Sequence, residues 1–254
     1  MILQKLKSSQ SLCIIEENKS GFVGGNTYRE ATLLSPNHFV AYWVCCLMGN
    51  SYRCLGYSRY VFGDDACKTG HYIYGYINRF IWVTPAMLLI IKYNNKLKFS
   101  KSELFSRPKF SKSLISVMII SLIYSVISML IIHKGFWFNK EINLLLVIVK
   151  FIIVGCVEEI VFRGWGYNAL VNVISGKKAV IISTLCFIIL HWSAYFIGVY
   201  RFGTFNFERI LLQSLAALVW GIIFCWLLKK DKTLWSPIIA HSFYDLMITS
   251  LVQQ

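Results

Sequence analysis

The sequence predicts an all-α fold, a polytopic transmembrane helix bundle of about six spans, with room for an extra membrane segment in the N-terminal tail. Three observations predict it. The chain is 56% hydrophobic and 15% charged, whereas soluble domains carry roughly 25% charge. From about residue 73 its apolar residues fall in runs close to the ~20 residues a helix needs to cross a bilayer. Lysine and arginine collect between those runs. The net charge of +14 therefore reads as loop charge that orients spans and meets anionic headgroups. It does not call for nucleic acid as a partner.

Taken in order, three regions follow. Residues 1–70 form a tail of unclear role, rich in Gly, Tyr, Ser and Cys. Its stretch FVAYWVCCLM (39–48) is apolar but too short to span alone. The tail reads equally as an extra domain, an interfacial segment or residues upstream of the true start. No sustained apolar run opens the chain, so the first true span must serve for insertion. Residues 71–141 hold two spans, roughly 73–91 and 114–132, and a basic loop between them. Residues 142–254 hold four more, roughly 142–170, 179–198, 210–228 and 233–252. The 142–170 run is long, and we expect it to break or tilt near Gly164 and Gly166. Pro85 and Pro237 are tolerable in membrane helices. Cys156, Cys186 and Cys225 fall in spans as small apolar packers. The other five of the eight cysteines lie in the first 67 residues and show no C-x-x-C pair.

Loop charge sets the orientation. Residues 92–112 carry seven basic side chains against one acid, Glu103, which marks that loop as cytoplasmic. Alternation then places Lys177/Lys178 and Lys229/Lys230/Lys232 on the same side. The loops with Lys134 and Lys140, and with Arg201 and Arg209, fall outside.

Three of the twelve carboxylates occupy predicted spans, and ionisable groups at membrane depth are functional candidates by default. Glu158 and Glu159 lie side by side in VGCVEEIVFRGWG, with Arg163 four residues after the second. His191 lies in FIILHWSAY, and His241 and Asp245 lie in IIAHSFYDLM. Counted from the cytoplasmic helix ends at ~1.5 Å per residue, Glu158 and His191 lie about 18 Å deep and His241 about 12 Å deep. Three helices can thus bring them to one cavity. Glu159 and Arg163 are i,i+4 and can pair on one face, as can His241 and Asp245. Glu158 points about 100° away from Glu159, so the two acids take different jobs. A carboxylate in a low-dielectric cavity suits general-base work on water. A neighbouring His can share or hold that water. A second His with a carboxylate partner can donate to an oxyanion.

The set E-E-x-x-x-R, F-x-x-x-H, H-x-x-x-N/D resembles the CPBP family. That family joins type II CAAX prenyl endopeptidases with bacterial Abi-type bacteriocin-processing and immunity proteins. The motifs here are Glu158-Glu159-Ile-Val-Phe-Arg163, Phe187-Ile-Ile-Leu-His191 and His241-Ser-Phe-Tyr-Asp245. The resemblance covers about 142–252. It implies an intramembrane endopeptidase of a multi-pass cell-membrane protein, acting on a membrane-associated or bacteriocin-like peptide. By the same resemblance Glu158 activates water and His191 helps position it, while His241 and Asp245 serve the oxyanion. Glu159 and Arg163 support the site. Asp245 stands where many members carry Asn; an ionised Asp cannot donate, so its expected role is to orient His241. The family is usually labelled metalloprotease. H-E-x-x-H is absent here, although Glu158, His191 and His241 could supply three ligands to a divalent metal such as zinc.

Plainer readings stand beside these. Glu159–Arg163 also reads as a structural ion pair, and Asp245 as a helix-packing hydrogen-bond group. Each histidine, taken alone, reads as a packing residue. His38, His71 and His133 read as loop or interfacial residues, and Trp192 and Tyr195 as candidates to line the cavity. The alternative function is bacteriocin self-immunity or partner binding with secondary or no catalysis. A proton-coupled transporter is a third class, weakened by the lack of inverted repeats.

Overall fold

The computed structural model describes residues 79–140, 142, 144–148, 153–202 and 205–252. The tail at 1–70, with its cysteines, His38 and the 39–48 segment, lies outside the described residues, as do His71 and the start of the first span. Everything described is helix or connecting turn, with no strand among the described residues. Helix α1 covers 79–92. A 3-10 turn at Asn94–Lys96 and the short α2 (Lys101–Leu104) follow. Then come α3 (Lys112–His133), α4 (Leu144–Val147) and α5 (Gly155–Glu159). A π-helix, Ile160–Tyr167, continues α5 into α6 (Asn168–Leu170). The last elements are α7 (Gly176–Phe202), α8 (Phe207–Asp231) and α9 (Trp235–Leu251).

Among the described residues two helices are long and apolar enough to cross a membrane, Lys112–His133 and Ile210–Asp231, with mean hydropathies of 2.6 and 2.2. Their packing is the reverse of a soluble core helix. Ile119, Ile123, Ile127 and Ile131 on α3 are exposed, while Ser113, Ser121 and Ser125 are buried. Only 22% of the α3 window is buried. A helix that turns isoleucine outward and serine inward is suited to lipid, because small residues let helices approach closely and lipid accepts the apolar side. The protein is a membrane protein. Buried Trp220, Phe224, Leu227 and Ala240 interlock with Leu114 and Val117, which packs α3 against α8 and α9.

The basic loop is built into the bundle. Ser111 caps α3 by accepting from Leu114 N at 3.1 Å, and its hydroxyl donates to Asp231 Oδ2 at 2.8 Å. Ser100 and Glu103 form a capping box on α2. Hydrogen bonds from the Ser100 backbone N–H and hydroxyl hold the Glu103 carboxyl below the usual carboxylate range. Phe99 and Leu104 are buried in the main apolar core with Ile90, Trp165, Leu170 and Leu234. Fully buried Asn168 accepts from Phe99 N at 2.7 Å and donates to Phe99 O at 2.8 Å. Leu234 N donates to Leu104 O at 2.9 Å, and Asn172 Nδ2 donates to Lys96 O at 2.6 Å. The loop, the end of α6 and the α8–α9 turn thus share one end of the bundle. At the other end His133 Nε2 lies 3.0 Å from Val252 O, and its ring stacks on Trp137.

Of the break or tilt expected near Gly164 and Gly166, the break does not occur. Both glycines lie inside the π-helix, so the chain widens its turn and stays helical. A Cβ on Gly164 would come within 3.0 Å of Leu234 Cδ1 and 3.3 Å of Ile90 Cδ1. This glycine serves close packing against α1 and the turn before α9.

Candidate active site

Glu158 and Glu159 end α5, one residue before the π-helix begins. π-Helical turns gather at functional sites because the widened backbone re-aims side chains. Arg163, one turn on, donates from Nη1 to Glu159 Oε1 at 2.9 Å and from Nη2 to Gly221 O at 3.3 Å. Its guanidinium lies 4.5 Å from the Phe187 ring centre and 5.3 Å from that of Phe224. Glu159 and Arg163 are both 0% exposed, so the pair is sealed from solvent and lipid.

His241, in the second turn of α9, joins the two acids. Its Nδ1 lies 2.8 Å from the same Glu159 Oε1 that Arg163 holds. Its Nε2 lies 3.8 Å from Glu158 Oε2 and 3.8 Å from Asp245 Oδ2. Because Glu159 also accepts from Arg163, the ring must donate Nδ1–H to it, which directs Nε2 to the other two carboxylates. Glu158 and Asp245 side chains keep 12% and 23% exposure. The two faces of the ring therefore differ: one is locked in the core, the other meets acids that retain access. Phe224 stacks on the imidazole at 4.8 Å, and Phe187 meets it edge-on at 5.9 Å.

His191 sits on α7 with Nδ1 2.8 Å from Phe187 O. The backbone carbonyl takes Nδ1–H, which leaves Nε2 as the free ring nitrogen. Its ring packs on Phe187 at 4.6 Å, so Phe187 stands between the two histidines. Trp192 is partly exposed and donates Nε1–H to Ser214 Oγ at 2.7 Å. The Tyr195 side chain lies outside the described residues.

The structure thus brings Glu158, Glu159, Arg163, His241 and Asp245 into one contact set and places His191 beside it across Phe187. Sequence spacing pairs His241 with Asp245. The geometry adds a closer partner, Glu159, at hydrogen-bond distance from the other ring nitrogen. Helical periodicity finds neighbours within one helix only, so it could not show a contact between residues 82 apart. Phe224 and the Gly221 carbonyl also escaped the sequence, which gives no signal for either.

A metal must be tested against the donors present. Among the described residues no group of three or more His, Cys, Asp or Glu side chains is arranged to hold a metal ion. The Nδ1 contacts of His241 with Glu159 and of His191 with a carbonyl leave both Nε2 atoms open, an arrangement compatible with ligation as well as with hydrogen bonding. The set does not form a ligand cluster as it stands.

Residues 140–247 match the family model for type II CAAX prenyl endopeptidase Rce1-like proteins. The match supports a CPBP-family intramembrane protease of the CAAX type over this segment. The match spans all six site residues and bears out the resemblance carried by the three motifs. No curated protein and no solved structure matches the chain. The domain belongs to a class of endopeptidases, which implies a peptide or protein substrate in a membrane setting.

Proposed function

We propose that this protein is a multi-pass cell-membrane endopeptidase in which Glu158 activates water against a peptide bond. The observation that carries the reading is the asymmetry around His241. A sealed Glu159–Arg163 pair holds one ring nitrogen, and the accessible Glu158 and Asp245 face the other. Glu158 Oε2 and Glu159 Oε2 are buried without a hydrogen-bond partner among the described residues. Buried polar atoms are costly unless paired, and the 12% exposure that the Glu158 side chain keeps is the route by which water would reach it.

In the proposed step Glu158 takes a proton from water, and the water oxygen bonds to the scissile carbonyl carbon. His191 positions the water through its free Nε2. With Nδ1–H on Glu159, the form of His241 able to donate from Nε2 is the imidazolium, which stabilises the oxyanion. Asp245 orients that edge of the ring. As the C–N bond breaks, Glu158 returns its proton to the leaving amine. The expected substrate is a membrane-associated peptide, with a bacteriocin-like peptide as the case the motif resemblance implies. The test is Glu158→Gln in the purified full chain, reconstituted in liposomes with a panel of internally quenched peptides, prenylated and unprenylated. Cleavage should fall ~10²–10⁴-fold, the usual cost of losing a general base. Unchanged cleavage would remove Glu158 from this role.

A further inference from the structure

Gly155 lies one turn before Glu159 and faces Ser242, the residue after His241. A Cβ built on Gly155 would overlap Ser242 Oγ and come within 3.2 Å of both Ser242 Cβ and Ser242 N. The hydroxyl could rotate away, but the Cβ and the backbone nitrogen move only if α9 moves. Contacts of 3.2 Å are tighter than ordinary packing at 3.4–4 Å. Ser242 is 1% exposed, and its hydroxyl has no hydrogen-bond partner among the described residues. The serine is thus held for its small size and not for a hydrogen bond. Across this same α5–α9 crossing runs the 2.8 Å contact of Glu159 with His241. Small residues at a membrane helix crossing set how closely two backbones approach.

From these contacts we infer that Gly155 is a positioning residue: with Ser242 it sets the α5–α9 spacing that lets Glu159 hold His241 for the reaction. The inference rests on the catalytic reading of Glu158 and His241 above. It predicts that added bulk at 155 lengthens the Glu159–His241 hydrogen bond, while bulk removed at 242 relieves the Oγ and Cβ contacts and offsets it in part, the backbone nitrogen contact remaining.

The experiment uses the full chain, labelled with [15N]histidine in micelles, as wild type, Gly155→Ala, Ser242→Gly and the double variant. The hydrogen-bonded Nδ1–H signal of His241 is assigned by its loss in His241→Gln. Turnover is read in parallel on the quenched-peptide panel. We expect Gly155→Ala to lose the Nδ1–H signal and to slow turnover about tenfold, since a 1 Å misplacement costs about 100-fold and this shift is smaller. The double variant should regain part of both. A Gly155→Ala protein with the signal and turnover intact overturns the inference and leaves the reading of Glu158 standing. A lost signal with unchanged turnover supports the spacing role and sinks the catalytic reading. If Gly155→Ala fails to fold, the double variant still decides: it should fold and show the signal, and a double as defective as the single overturns the inference.

Discussion

Replacing Arg163 with methionine keeps a long unbranched stem in place and deletes the guanidinium that holds Glu159 and Gly221 O. Glu159 is fully buried, so the change strands a carboxylate. Removing one partner of a buried pair costs ~3–5 kcal/mol. His241 still meets Glu159 at 2.8 Å, which argues for the lower end. The lost guanidinium–ring contacts add back about 1 kcal/mol. We expect Arg163→Met to lose about 3–4 kcal/mol by these figures. The double variant Glu159→Met/Arg163→Met leaves neither charge stranded, and apolar replacement of a buried pair is often neutral. It still strips His241 of its Nδ1 partner, at about 1–3 kcal/mol. The double should therefore be more stable than Arg163→Met alone. The assay is thermal unfolding of the full chain in detergent, where 1 kcal/mol moves the midpoint by roughly 2–4 °C. The single should melt about 10 °C low by that scaling, and the double only a few degrees low. A double variant as unstable as the two singles summed would refute the view of Glu159–Arg163 as a sealed pair.

Other outcomes follow from the same contacts. Asn168→Ala strands the buried Phe99 N–H and C=O and should cost about 2–6 kcal/mol at about 1–3 each, read from the same melts. Protease cutting within 93–111 should rise with it, because Asn168 fastens that loop. Lys134 caps α3 with φ 54°, a left-handed conformation that costs an L-residue roughly 1–2 kcal/mol; Lys134→Gly should raise the melting point, and a drop would count against the cap. In a background freed of native cysteines, one placed near Lys101 should be shielded from an impermeant thiol reagent in intact cells, and one near Asn206 labelled. The reverse pattern would invert the orientation. Chelation should leave cleavage unchanged; one equivalent of zinc, lost together with activity and restored with it, would oppose the metal-free step.

Hydropathy made the helices legible. The run read at roughly 114–132 is the helix Lys112–His133, and the run at 233–252 is Trp235–Leu251. A lipid-facing helix advertises itself by composition, but the two central helices, Gly176–Phe202 and Phe207–Asp231, run three or four residues past the apolar runs at each end. The Glu159–Arg163 pair was legible because both residues lie on one helix face. What the sequence hid depends on partners far along the chain. The basic loop reads as a linker, yet Asn168 and Thr233 tie its backbone down across 69 and 129 residues. The glycines at 164 and 166 suggested a break, because a glycine needed for close packing and one needed for a kink look alike in sequence. The π-helix carries no composition signal of its own.

The most direct test of the central claim compares wild type with Glu158→Gln in proteoliposomes, with product termini identified by mass spectrometry. Glutamine keeps the shape of Glu158 beside His241 and removes the base. New internal termini are expected with wild type and a ~10²–10⁴-fold slower appearance with the variant, at equal insertion and melting temperature. The same termini formed at the same rate by both proteins would contradict it.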